Sequence, residues 1–329
     1  MGGTMMEEKE ISWKVMDIPV YGTILSQNDG GMKPGVILVA GSGPTDRNWC
    51  SPLLPGTNCS GRLIAEKLAE NGFVTMRYDK LASGPHVMEN LPNFAGKLSI
   101  QSHLQELSGA VEALSLEKNV DRDKLFVLTN SEGAIHAVNY QLKLGVPKFK
   151  GLLLTGPPGR SVGSVARDQL ASQIASMPES QEIMREYDKA VSAFISGNSI
   201  ETNPMLPGPV RQLLQSLKTP ANMPFSRELW AYDLGDYIGG IRDPIMVLIG
   251  KKDVQVNWKI DGSILEKALN NNKSASFAYP VYANHVLKHE ELPNDKLTAE
   301  YVGSHYNAAD TTIDKQAMDT ILSWLKGLV

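Results

Sequence analysis

Apolar residues along this chain recur in two rhythms. Short apolar runs occupy Gly35 to Gly41, Phe73 to Asp79, Lys124 to Asn130, Lys150 to Gly156, Pro244 to Gly250 and Ser274 to Val281. Their length and their content of Val, Ile, Phe and Leu predict strands. Between most of them lie stretches with apolar positions three and four apart: Leu63, Ile64 and Leu68 in 60–71, and Leu104, Leu107, Val111 and Leu114 in 100–116. Similar patterns run through 132–144, 260–270 and 312–329. That spacing places the apolar side chains on one helical face. Strands alternating with such helices imply an α/β fold, a mostly parallel sheet flanked by helices on both faces. Near the N-terminus, Trp13 to Val15 and Val20 to Leu25 read instead as an antiparallel hairpin at one edge.

The alternation breaks off over 157–241. This stretch carries helical patterns, Met177, Met184, Met205 and Met223, and the loop Asn203-Pro204-Met205-Leu206-Pro207-Gly208-Pro209. It is too apolar to stay solvated, which predicts a helical cap insertion rather than a linker. The expected organisation is therefore a core of 1–156 and 242–329 interrupted by a helical cap over 157–241.

Composition narrows the class. At 329 residues and 42% hydrophobic, the chain suffices for one large domain with an insertion or for two ordinary ones. The net charge of −4 comes without a block of like charge or an aromatic-interleaved basic stripe, which argues against nucleic acid. No apolar run approaches the roughly 18 residues of a bilayer span, and Met1 to Glu10 is acidic rather than signal-like. The reading is a soluble, cytoplasmic chain with no membrane partner, with Met5 as a candidate natural start after Met1 to Thr4; homo-oligomerisation stays open. The two cysteines, Cys50 and Cys59, share one Pro/Gly-rich loop, and an intracellular chain is expected to keep them as free thiols. Neither they nor His86 and His103 have the spacing of a zinc site, so no metal is expected.

Chemistry gathers at the ends of the strands. Leu128-Thr129-Asn130-Ser131-Glu132-Gly133 joins a strand pattern to a helical one and places a single serine at the bend. A strand-to-helix turn exposes such a hydroxyl as a nucleophile, and a glycine two residues later lets the helix pack close to the sheet. In isolation the serine reads more readily as a helix cap than as a nucleophile. A nucleophilic serine needs a base and an acid to orient it, and in open α/β sheets such groups collect at carboxyl ends of strands. Gly250-Lys251-Lys252-Asp253 follows one strand, and Tyr282-Ala283-Asn284-His285-Val286-Leu287-Lys288 follows the next. The candidate catalytic residues are therefore Ser131, Asp253 and His285, with His289 and His305 as rival bases. Asp233, Asp236 and Asp243 precede the strand and fit less well as the acid. The oxyanion of acyl transfer needs two N–H donors, for which Glu132 and the loop residues Ser42 and Gly43 are candidates. Gly41, Asp46, Arg47 and Asn130 are candidates for lining the pocket or supporting the loop. Gly41-x-Gly43 lacks the third glycine of a dinucleotide site and the Gly-Lys-Ser/Thr of a phosphate loop, which argues against a nucleotide.

These residues resemble the α/β-hydrolase fold, and within it a bacterial esterase-like group with an oxyanion loop near GSGPTDR. Here that loop is Gly41-Ser42-Gly43-Pro44-Thr45-Asp46-Arg47, followed by Ser51-Pro52-Leu53-Leu54-Pro55-Gly56. Arg77-Tyr78-Asp79-Lys80, the Ser-Glu-Gly of the bend, Asp253, and Ala283-Asn284-His285-Val286-Leu287-Lys288 match as well. Two departures are visible: Thr129-Asn130 where the group has Gly-His, and Leu81-Ala82-Ser83-Gly84 where it tends to have Arg-Gly and a further glycine. The resemblance implies a Ser-Asp-His triad and a carboxylic ester hydrolase acting on small to medium acyl esters through an acyl-enzyme, with no cofactor. In that reading Asp46 and Arg47 pin the oxyanion loop, and the methionines of the insertion wall the pocket. Peptidase, amidase or thioesterase chemistry shares the same triad. A ligand-binding protein on the same scaffold is the reading outside catalysis, motivated by Thr129 and Asn130.

Overall fold

A computed structural model describes residues 5–144, 146–200 and 203–329. The segment Met1 to Thr4 lies outside them. Eight strands form one sheet in the order β1-β2-β4-β3-β5-β6-β7-β8: Met6–Val15, Ile18–Gln27, Lys33–Val39 and Val74–Tyr78 as β1 to β4, then Val120–Asn130, Gly151–Thr155, Ile245–Leu248 and Ala275–Ala278 as β5 to β8. β1 pairs antiparallel with β2, and β2 with β4; every other pairing is parallel. The hairpin begins earlier than its apolar pattern suggested, because Met6 to Glu10 is largely exposed and charged. Such charges suit an edge strand, where they discourage pairing with another chain.

Alternation along the central strands explains why the sheet lies between two layers. Ile37, Val39, Leu125, Val127, Leu152, Leu154, Ile245 and Val247 belong to one apolar cluster, whereas Val36, Leu38, Phe126, Leu128, Leu153, Met246 and Leu248 belong to a second. Successive side chains point to opposite faces, so a strand apolar throughout must be covered twice. Helices α3 (Ile100–Ser115) and α4 (Gly133–Asn139) contribute to the first cluster. Helix α1 (Ser60–Glu70) and the C-terminal helix Lys315–Lys326 contribute to the second. Helix α2 (Val87–Phe94) was not anticipated, and it crosses Pro92.

Among the described residues five helices lie between β6 and β7: α5 (Val162–Ile174), α6 (Ser180–Ile195), α7 (Gly208–Leu217), α8 (Phe225–Ala231) and α9 (Leu234–Ile238). Their buried residues, among them Tyr187, Phe194, Leu214 and Trp230, continue the first core cluster without a break. The chain closes with α10 (Ile260–Ala268), α11 (Ala299–His305) and α12 (Lys315–Lys326). Among the described residues no helix is long and apolar enough to cross a membrane.

Two expectations are corrected. Cys50 and Cys59 are not free thiols but a disulfide with a Cα–Cα separation of 5.4 Å. The expectation came from the intracellular reading alone, and disulfides are rare in that setting. The helix over 132–144 is also not uniform, because α4 gives way to a π-helical turn at Tyr140–Leu144. Ala134, Ile135 and Val138 are buried, but Leu142 is 41% exposed. A wider turn shifts the phase of the residues after it, which carries Leu142 off the apolar stripe.

Candidate active site

Ser131 sits between β5 and α4 with φ +51°, a left-handed conformation that a residue with a side chain adopts at a cost. Two contacts hold it there. Its N–H donates to the Thr155 carbonyl at the end of β6 (2.8 Å), and Gly133 leaves room for the sheet, since a Cβ there would meet the Val39 carbonyl oxygen at 2.8 Å. Glu132 opens the first turn of α4, where backbone N–H groups have no intrahelical partner. The adjacent loop is close: a Cβ on Gly41 would lie 3.2 Å from Ser131 Cβ.

Asp253 follows β7, and His285 follows β8. The His285 Nδ1 is 2.8 Å from Asp253 Oδ2, with both side chains buried. Asp253 Oδ1 also accepts from the N–H groups of Gln255 and Val256, so the carboxylate is gripped by its own loop. Gly156 makes space for this pair: with φ +53°, a Cβ there would lie 3.1 Å from His285 Nδ1. Asn130, next to the serine, donates from Nδ2 to the His285 carbonyl at 2.9 Å. The hydrogen bonds therefore run Asn130–His285–Asp253, and among the described residues they do not include the Ser131 hydroxyl. The rival bases are engaged elsewhere, His289 with Asp314 and His305 with the Tyr301 carbonyl. Of the rival acids, Asp233 accepts from the Ser161 N–H and Asp243 from Gln141.

The loop 41–47 is anchored at several points. Thr45 Oγ1 donates to the Ser42 carbonyl, and Gly43 takes φ +75°. Asp46 accepts from the N–H groups of Asn48 and Cys50 within the loop. Burial pushes its carboxyl up from the usual range, against those hydrogen bonds. Arg47 reaches out instead: its Nε donates to Asp79 Oδ2 (2.9 Å), its backbone N–H to Asp79 Oδ1 (2.8 Å), and Nη1 to Glu10 (2.6 Å).

Beneath the serine lies a buried charged cluster that the strand-end argument did not foresee. Lys80 Nζ is 3.4 Å from Glu132 Oε1, which His136 Nε2 also contacts at 3.1 Å; His103 Nδ1 is 2.8 Å from Glu106 Oε2, and the His103 and His136 rings lie tilted with their centroids 4.6 Å apart. Burial pulls the Glu132 carboxyl upward, but the Lys80 ammonium and the His136 hydrogen bond outweigh it and hold it well below the usual carboxylate range. Burial lowers the His136 imidazole below its ordinary value, only partly offset by Glu132. His103, Glu132 and His136 bring ligand atoms within 4.8 Å of one another, a spread compatible with a metal ion. Lys80 already neutralises that carboxylate and Glu106 occupies His103 Nδ1, so the cluster fits an internal ion-pair network better than a cation site. A signal was present: Glu132 and His136 are four apart, His103 and Glu106 three apart, on otherwise apolar helical faces.

Beside Asp253 a groove of 780 Å³ runs between α5 and the loops after β7 and β8, with Leu54, Arg160, Gln169, Gln255, Leu297 and Tyr306 in its walls. None of the four insertion methionines lines this groove. Met177 and Met205 are exposed, and Met184 and Met223 pack against the core instead.

This sheet order, with a strained serine turn after β5 and acid and imidazole after β7 and β8, is that of an α/β-hydrolase fold. The chain is similar over 328 residues to Esterase EstD of Thermotoga maritima, at 24% identity, covering 97% of this chain and 67% of that protein. Among solved structures, it resembles the α/β hydrolase GrgF from Penicillium sp. sh18 (TM-score 0.58, 11% identity, 98% of each chain covered). It also resembles the Pyrococcus furiosus esterase Pf2001 (TM-score 0.56, 16% identity, 98% of this chain and 91% of that one). No protein-family model matches the sequence.

Proposed function

We propose that this protein is a serine carboxylesterase acting on small to medium acyl esters, with 157–241 as its cap. The observation that carries the reading is the buried His285–Asp253 pair joined through Asn130 to a serine held at positive φ. The similarity to an esterase along nearly the whole chain supports it.

In this mechanism the Ser131 hydroxyl attacks the ester carbonyl while His285 Nε2 takes its proton. Asp253, on Nδ1, fixes the tautomer and stabilises the imidazolium. Substrate binding has to bring the serine into line with the imidazole, as catalytic hydrogen bonds often tighten only in the complex. The tetrahedral oxyanion is met by the N–H of Glu132 and a donor from Ser42 or Gly43. His285 then protonates the departing alcohol, and water activated by the same imidazole releases the acid from the acyl-enzyme.

Ser131→Ala is expected to abolish turnover of p-nitrophenyl butyrate and labelling by a fluorophosphonate while leaving the circular-dichroism melt unchanged. Undiminished activity in the folded variant would overturn the proposal. Preferential cleavage of an acyl-thioester or aminoacyl amide over acyl esters would move the same triad to another substrate class.

A further inference from the structure

Lys80 lies two residues beyond the end of β4 and is 4% exposed. Its ammonium donates a short hydrogen bond to the Gly41 carbonyl and pairs with the Glu132 carboxylate. Gly41 opens the loop that carries one expected oxyanion donor, and Glu132 carries the other on its own backbone. A single buried cation therefore touches both halves of the hole. On the far side of the loop, the preceding residue, Asp79, grips Arg47.

The Gly41 contact has a directional consequence. A peptide unit is planar and trans, so its C=O and the following N–H point in opposite directions. With the Gly41 carbonyl held on Lys80, the Ser42 N–H is aimed away from the lysine and cannot swing freely. The Glu132 contact acts on the other donor, because its carboxylate tethers the first residue after the serine. Oxyanion stabilisation depends on donors fixed in advance at hydrogen-bonding distance from the developing charge, and a loop alone does not fix them.

We propose that Lys80 is a positioning residue that sets the two oxyanion donors, Ser42 N–H and Glu132 N–H, relative to each other. This rests on the esterase reading above. The ammonium does not touch the substrate; it acts through the Gly41 carbonyl and the Glu132 carboxylate. Replacing it with an apolar side chain of similar length frees one peptide plane and leaves a buried carboxylate without its cation.

Lys80→Met and Glu132→Gln test this through three quantities: kcat and KM for p-nitrophenyl butyrate, and Ki for an alkylboronic acid, whose tetrahedral serine adduct occupies the hole. In Lys80→Met, kcat is expected to fall by about 10- to 100-fold, below the full loss of a donor, with KM nearly unchanged. The boronate Ki should rise by the factor by which kcat/KM falls. Glu132→Gln keeps the shape and removes the charge, so it should show the same pattern more weakly. The double variant should be no worse than Lys80→Met, since both residues act in one network. A folded Lys80→Met with wild-type kcat, or with a raised KM and unchanged Ki, overturns the proposal. Should that variant fail to fold, wild-type kcat and Ki in Glu132→Gln overturn it instead. The underlying reading fails separately: if the unaltered protein is neither labelled at Ser131 nor active on any ester, both fall before a variant is compared.

Discussion

Thr129 shows how a single irregular residue in a motif is absorbed. Its β-branched side chain stands in the place of a glycine, yet it is fully buried in β5 and its carbonyl accepts from Thr155 Oγ1 at 2.6 Å. The chain accommodates the methyl by packing, but among the described residues the hydroxyl finds no partner. A buried hydroxyl without a hydrogen bond costs about 1–3 kcal/mol. Thr129→Val keeps the shape and removes that cost, so it should raise stability by about 1 kcal/mol, read as a higher urea midpoint at unchanged m-value. A lower midpoint would mean that the hydroxyl is satisfied in solution. Asn130, the other departure, had no partner legible from its neighbours in sequence. Only the fold shows it reaching 155 positions along the chain to the carbonyl of His285.

Among the elements, the loop between β3 and α1 is held by long-range ties. Its Asp46 caps local N–H groups, its Arg47 is pulled to Asp79 and Glu10, and its far end is closed by Cys50–Cys59 where α1 begins. A cross-link over a separation of nine residues contributes about 2–3 kcal/mol by limiting the unfolded chain. Reduction, or Cys50→Ser, should therefore lower the thermal midpoint. On the esterase reading it should also slow ester turnover, because the cross-linked segment directly follows the loop 41–47 and supplies Leu54 to the groove beside Asp253. Equal midpoints before and after reduction would show that the loop is held by its ion pairs alone.

For the whole molecule, the buried cluster under the serine dictates an acid limb to the stability profile. The folded His136 has a lowered pKa, so the unfolded chain takes up its proton first, and stability falls as pH drops below about 6.5. Glu132 is also lowered in the folded state; its contribution is present above the unfolded carboxyl value of about 4.3 and is lost as pH falls below it. His289 works in the opposite sense, raised by Asp314, but its side chain is 37% exposed and solvent weakens the pair. Urea midpoints should therefore decline from pH 7 to 5 and more steeply towards pH 4, with His136→Asn flattening the first part. A level profile across that range would contradict the network.

Much of this molecule was legible from its chain alone, for a definite reason. Strand and helix identity follow from the period of apolar residues, which is a local property, and it placed all eight strands to within a few residues apart from the start of the hairpin. Ser131, Asp253 and His285 stand out as candidates because open sheets gather chemistry at strand ends, a topological rule that needs only element order. What the tertiary structure alone decided are the contacts between distant segments: the disulfide across the loop, the phase shift that exposes Leu142, and the joining of the His103–Glu106 pair to Lys80, Glu132 and His136 in one buried cluster. Burial turns those last residues from ordinary surface types into a charged network. Burial depends on which elements pack together, and no periodicity within a single segment encodes that.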